Sequence, residues 1–241
     1  GEDCVVSAGN FHGMPIALAL TQLKCCIPVL ASISERRLAK LVDPATNDGL
    51  PAFLIGNEDG TDSGHMIVQY TAAAIVNDLA SRAMPASVYS IPTSANAEDH
   101  VSMGANEARH VLAMASDLGK VLGLELSTAA QALDLRRDMI NAARDLADRT
   151  DAEGFAAKVQ GGPLPDASDR DEFLAEVDGL RSQLAKAAEF RPGRAVAAAH
   201  AVIRARIPFL DRDRAMDGEV ATAVRMVVEG DVLAAARKAL D

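Results

Sequence analysis

Ser87-Val88-Tyr89-Ser90-Ile91-Pro92-Thr93-Ser94-Ala95-Asn96-Ala97-Glu98-Asp99-His100-Val101-Ser102-Met103-Gly104 opens as a polar, proline-stiffened loop and leads into the longest helical pattern of the chain. Pro92 holds Ile91 out of the helical region. Thr93, Ser94 and Asn96 are competent N-caps. Glu98 and Asp99 fall where a first helical turn is expected, and the helix dipole favours carboxylates there. The spacing predicts a helix from about Asp99 to Arg149, because Val111, Met114, Leu118, Val121, Leu122, Leu126, Ala129 and Leu133 recur at three- and four-residue steps. At 1.5 Å per residue it would extend about 70 Å. Many flanking positions are also apolar or small, so the helix must be surrounded. That length exceeds what the rest of the chain can cover, and an all-α, multi-chain helical bundle is expected. Glu125, Gln131 and Asp134 in this apolar context read as hydrogen-bond partners between helices. Glu98 stands at the mouth of a rigid element, the support a functional site needs. As a plain helix-start charge it would contribute only about 0.3–1 kcal/mol.

Composition points the same way. The 241 residues are 49% hydrophobic but only 3% aromatic, with no Trp, which suits closely packed helices better than a β-sandwich. The formal net charge is −10, and no basic patch with interleaved aromatics marks a nucleic-acid partner. No apolar run approaches the ~20 residues of a membrane span, and no signal-peptide pattern is visible. Neither a membrane nor nucleic acid is an expected partner. Cys4, Cys25 and Cys26 are odd in number, two are adjacent, and none has zinc or redox spacing. Reduced thiols in a cytoplasmic protein are expected, with Cys25 and Cys26 as packing residues.

Upstream, Gly9 and Gly13 bracket Asn10-Phe11-His12 in a turn before a helix that starts near Pro15. Ile16 to Leu41 is helical in pattern, and Pro28 should kink or break it. Ile33-Ser34-Glu35-Arg36-Arg37 carries charges that are either solvated or paired across subunits. Asp43 to Gly64 is a long polar connection, and Met66 to Arg82 a second helix. Asp148 to Asp169, with Gly161-Gly162-Pro163-Leu164-Pro165-Asp166, is the best boundary. It divides a central long-helix bundle with site loops, 1–150, from a C-terminal helical region, 151–241. In the latter, helices are predicted at about Asp169–Glu189, Gly193–Arg206, Asp217–Val228 and Asp231–Leu240. Phosphate loops, nucleophile elbows and zinc spacings of the five histidines are not found.

Two motifs carry a resemblance. Ser90-Ile91-Pro92-Thr93-Ser94-Ala95-Asn96 followed by Glu98-Asp99-His100-Val101-Ser102-Met103-Gly104 resembles the signature of the histidine ammonia-lyases, of the aromatic amino acid ammonia-lyase and aminomutase family, with Ala97 in place of a Gln. Gly9-Asn10-Phe11-His12-Gly13-Met14-Pro15 is similar to a second family motif, with Met14 in place of a Glu. His65 replaces a family Phe, and Asn77-Asp78-Leu79 stands where the family has Glu-Asn-Lys. The likeness runs from Ser7 to Arg137, weakens, and returns at Pro208 to Arg214. It implies the long-helix bundle of the ammonia-lyase type and a homotetramer whose active sites are each built from three subunits. It also implies a methylidene-imidazolone electrophile made from an internal Ala-Ser-Gly. That triplet does not occur in these residues. The resemblance is to the C-terminal half of such an enzyme, so the electrophile is expected on a companion chain, and the isolated chain is expected to be inactive. By the same resemblance Glu98 and Phe11 are the catalytic candidates. Glu98 contacts a substrate imidazole or assists proton transfer; Phe11 lines the electrophile. Asn10, Ser94 and Asn96 are candidate substrate-binding residues, and neither a metal ligand nor a cofactor attachment point is expected in this chain. A small α-amino acid, histidine before phenylalanine, is the expected substrate. A 2,3-aminomutase outcome and a non-catalytic scaffold or regulatory paralogue are the alternatives.

Overall fold

The computed structural model describes residues 4, 11–56, 60–161, 164–166 and 169–241. Among them it contains eight α-helices and no strand: α1 (Met14–Val42), α2 (Met66–Arg82), α3 (Gly104–Arg149), α4 (Ala152–Gln160), α5 (Arg170–Lys186), α6 (Arg194–Arg204), α7 (Asp217–Glu229) and α8 (Asp231–Lys238). The architecture is all-α. The 46-residue α3 is the axis: α1 and α2 pack along it, and α5, α6 and α7 return to it, while α8 packs against α6.

Two apolar clusters meet on α3. Ile27, Ala31 and Leu38 of α1 and Val68, Ala72 and Leu79 of α2 close over its Met114, Val121 and Leu124. Its Ala130 joins Ile203, Ile207, Ala223 and Met226 from the C-terminal helices. Helices meeting on α3 in two clusters remove a large apolar area from water, which is the main favourable term in folding.

Two expectations need correction. First, Pro28 does not break α1, which runs as one helix from Met14 to Val42 with the proline inside it. Ile27 and Ala31 are buried on either side of the proline, and their packing outweighs the missing backbone donor. Secondly, α1 contains an 18-residue window of mean hydropathy 1.8, long and apolar enough by length and composition to cross a membrane. On α3, Met114, Val121, Leu124, Ala130, Ala132 and Ala147 are buried, while Leu112 and Met139 are exposed. The largest group of exposed large apolar side chains lies on α1, at Ile16, Leu18, Leu23, Val29, Leu30 and Ile33.

The polar residues of α3 do join helices. Glu125 accepts from Ser34 (2.5 Å) and from the Arg37 guanidinium (Nη2, 2.8 Å). Gln131 donates to the carbonyls of Leu54 (3.1 Å) and Leu210 (2.8 Å) and accepts from Leu210 N–H and Arg204. Asp134 meets Arg204 at 2.6 Å and His200 at 2.9 Å. The Glu35 and Arg37 charges pair inside the chain, Glu35 with Arg36 and with Gln69 of α2.

Candidate functional site

The long helix begins at Gly104, not at Asp99. Met103 sits in the left-handed region (φ 51°) just before it, and such a residue cannot continue a right-handed helix upstream. Glu98 and Asp99 are therefore loop residues, and the acid in the first turn is Glu107. Thr93, Ser94 and Asn96 cap no helix. Thr93 and Glu98 exchange backbone hydrogen bonds of 2.9 and 3.3 Å as an isolated antiparallel bridge. Between them Ser94, Ala95 and Asn96 all adopt positive φ (54°, 54° and 70°). Three successive non-glycine residues in that region cost on the order of 1 kcal/mol each or more, so the tip is held against a local preference by its surroundings.

Those surroundings come from both ends of the chain's first half. The rings of His12 and His100 stack with centroids 5.4 Å apart and planes 7° apart. His12 Nε2 is 2.9 Å from the His100 carbonyl, which fixes that nitrogen as the N–H donor. His12 Nδ1 then accepts from Met14 N–H at 3.2 Å, consistent with the same tautomer. A Cβ on Gly13 would lie 2.9 Å from Ser102 Oγ, so the glycine permits this approach. The Phe11 and Glu98 segments are thereby brought together, each within two residues of the histidine stack. Phe11 is 98% exposed; Glu98, Ser94 and Asn96 are exposed too. Among the described residues the Glu98 carboxylate has no hydrogen bond or ion pair. Asn10 lies outside the described residues.

Beneath this open surface lies a closed polar cluster that sequence reasoning missed. Lys24 and Glu107 are both 0% exposed and pair at 2.6 Å. Glu107 Oε1 accepts from Thr21 Oγ1 (2.9 Å), Ala86 N–H (2.5 Å) and Ser87 N–H (2.9 Å). Burial by itself would raise the Glu107 carboxyl, but Lys24, Ser87, Thr21 and Ala86 outweigh it and hold its pKa at about 2. The signal was present: Lys24 is the only charged residue between Met14 and Ser34, and a lysine in such an apolar stretch needs an anion when buried.

His65 belongs to a different junction. It is buried, bonded to Thr128 Oγ1 at 3.0 Å, and touches neither loop through a hydrogen bond. Burial, then the nearby Arg204 and Arg214 charges, lower its pKa to about 4. Among the described residues no group of three or more His, Cys, Asp or Glu is placed to hold a metal ion.

An exposed carboxylate, an exposed phenyl ring and a backbone locked by buried contacts can bind a small polar substrate and exchange a proton with it. A family model for aromatic amino acid lyases matches residues 1–153. Histidine ammonia-lyase 1 of Fusobacterium nucleatum is 52% identical over 134 residues, 56% of this chain and 26% of that protein. The fold is similar to that of histidine ammonia-lyase from Trypanosoma cruzi, with a TM-score of 0.73 and 28% identity over 99% of this chain and 37% of that one. It is similar in fold alone to tyrosine aminomutase from Streptomyces globisporus, with a TM-score of 0.72 and 24% identity over 99% and 36%. The chain spans about a quarter of the length of the curated relatives it matches.

Proposed function

Because this chain belongs to the aromatic amino acid lyase family, we propose that it furnishes the acid and aromatic side of an ammonia-lyase centre acting on histidine or a similar α-amino acid. The observation that carries this reading is the His12–His100 stack, which joins the Phe11 loop to the Glu98 loop. In the reaction a base removes a β-proton, the C–N bond breaks, the C–H electron pair becomes the new C=C bond, and the amine leaves as ammonia. Glu98, as a carboxylate, accepts a hydrogen bond from a substrate imidazole N–H or moves a proton at that ring. Ser94, Asn96 and Asn10 offer polar groups to the substrate. A phenyl side chain would give Glu98 no such partner, which favours histidine.

A methylidene-imidazolone, when present in the assembly, supplies the electrophile that makes the amine a better leaving group. The 241 residues contain no Ala-Ser-Gly to generate it. An exposed Phe11 ring fits the edge of such a group rather than its source. We assign the electrophile to residues outside these 241, on a companion chain or another part of the same polypeptide, and the bare apolar face of α1 to contacts with further chains in a tetramer-like bundle. Cys4, Cys25 and Cys26 are free and exposed, so Cys25 and Cys26 are not the packing residues expected, and free thiols suit a reducing, cytoplasmic setting.

The test is turnover of histidine by the chain co-assembled with a polypeptide carrying Ala-Ser-Gly, followed as ammonia and unsaturated acid. Glu98→Gln is expected to lower turnover by about 10²-fold or more with assembly intact. Unchanged turnover would make the chain a scaffold. A β-amino acid product would place it with the aminomutases, and ammonia release by this polypeptide alone would remove the companion chain.

A further inference from the structure

We propose that Glu107 is a positioning residue for the Glu98 carboxylate, acting through the root of the loop that carries it; this rests on the role given to Glu98 above. The loop is tied at three levels. At its root, one oxygen of Glu107 gathers the N–H groups of Ala86 and Ser87 and the hydroxyl of Thr21. The Thr21 and Ser87 hydroxyls are also 2.9 Å apart. At its neck, Ser90 Oγ accepts from Val101 N–H at 2.7 Å. At its return, His100 rests on His12. The neck and return fix the loop's shape. The root fixes where that shape stands relative to α1 and α3.

Stability alone does not account for the cluster. A fully buried ion pair is generally no more stabilising than apolar packing of the same volume, and here both partners are completely covered. What an apolar replacement cannot do is receive three converging donors at one atom. Lys24, with His110 Nδ1 3.4 Å from its Nζ, keeps Glu107 ionised and aimed at the loop root. A displacement of about 1 Å at a reacting group can cost about 10²-fold in rate, so the root's rigidity is transmitted to Glu98.

Glu107→Gln leaves Lys24 buried without its anion and endangers folding, so the decisive variant is Thr21→Val, which keeps the ion pair. In the co-assembled enzyme Thr21→Val is expected to lower kcat about tenfold or more with KM changed less than about twofold, and Thr21→Ser to restore it. In a Glu98→Gln background Thr21→Val is expected to bring no further loss, because its effect passes through the carboxylate already removed. Additive losses, or a wild-type kcat in Thr21→Val, would overturn the proposal. Failure of the functional reading looks different: Glu98→Gln alone would then leave turnover intact. Hydrogen exchange supplies an independent arm, with the Ala86, Ser87 and Val101 amides expected to exchange at least about tenfold faster in Thr21→Val while the amides of mid-α3 do not change. Unaltered exchange at those three amides would also count against it.

Discussion

Burial keeps His65 neutral, while Lys24 and three hydrogen-bond donors keep Glu107 charged against its burial, and acid works against both. His65 has a folded pKa of about 4 against an ordinary 6.5. Its unfolded form therefore binds more protons between those values, and stability falls as pH drops through that window. Glu107 continues the loss. Its folded pKa of about 2 against 4.5 gives a contribution fully present above pH 4.5 and lost as pH falls toward 2. Thermal unfolding followed from pH 7 to pH 2 should show the midpoint dropping in both windows. In His65→Gln the midpoint should be flatter between pH 6.5 and 4, with the lower window unchanged. At this scale the candidates Glu98 and Phe11 rest on the resemblance of two motifs, whose segments the His12–His100 stack brings together. Glu107 was not legible, because nothing in one sequence tells which of Glu98, Asp99 and Glu107 turns inward.

At the scale of elements, the approach of α7 to α3 sets a tight test. A Cβ on Gly123 would meet Val224 N at 2.9 Å and its Cα at 3.0 Å. Those are backbone atoms, and α7 must move as a body to make room. Gly123→Ala is expected to destabilise by about 1–3 kcal/mol, seen as a lower urea midpoint. Gly179, inside α5, meets nothing within 4 Å, and Gly179→Ala should stabilise by about 0.5–1 kcal/mol. Helix α2 was read with its observed ends, because its apolar period runs unbroken from Met66 to Arg82. The start of α3 was misread by several residues. The caps and acids at 93–99 fit a helix start locally, while in the structure Thr93 bridges Glu98, Met103 is left-handed, and the loop's return at His100 is held by His12, 88 positions away. Pro28 was misread for a related reason: local cost was visible, and the burial that offsets it was not.

For the molecule as a whole, the apolar face of α1 is the feature that most needs an explanation, and the proposed cover by other chains would provide it. Leu23→Lys with Leu30→Lys, both at exposed positions, should leave the fold's circular dichroism unaltered. The same pair should abolish co-assembly in sedimentation velocity. Retained co-assembly would move the interface elsewhere. The all-α class could be read from composition and period. That α5 to α7 come back onto α3 could not, since short alanine-rich helices carry little information about their neighbours.

Asp213 reaches back to receive Ser63 N–H at 2.7 Å and Gly64 N–H at 2.8 Å, just ahead of α2 and 150 positions earlier in the chain. Synthesis on a ribosome runs at about 5–20 residues per second. The beginning of α2 is thus synthesised roughly 8–30 s before the carboxylate that completes it. During that interval the nascent first half holds its earliest helices with one end unsealed, a window in which a chaperone or a partner can still engage them.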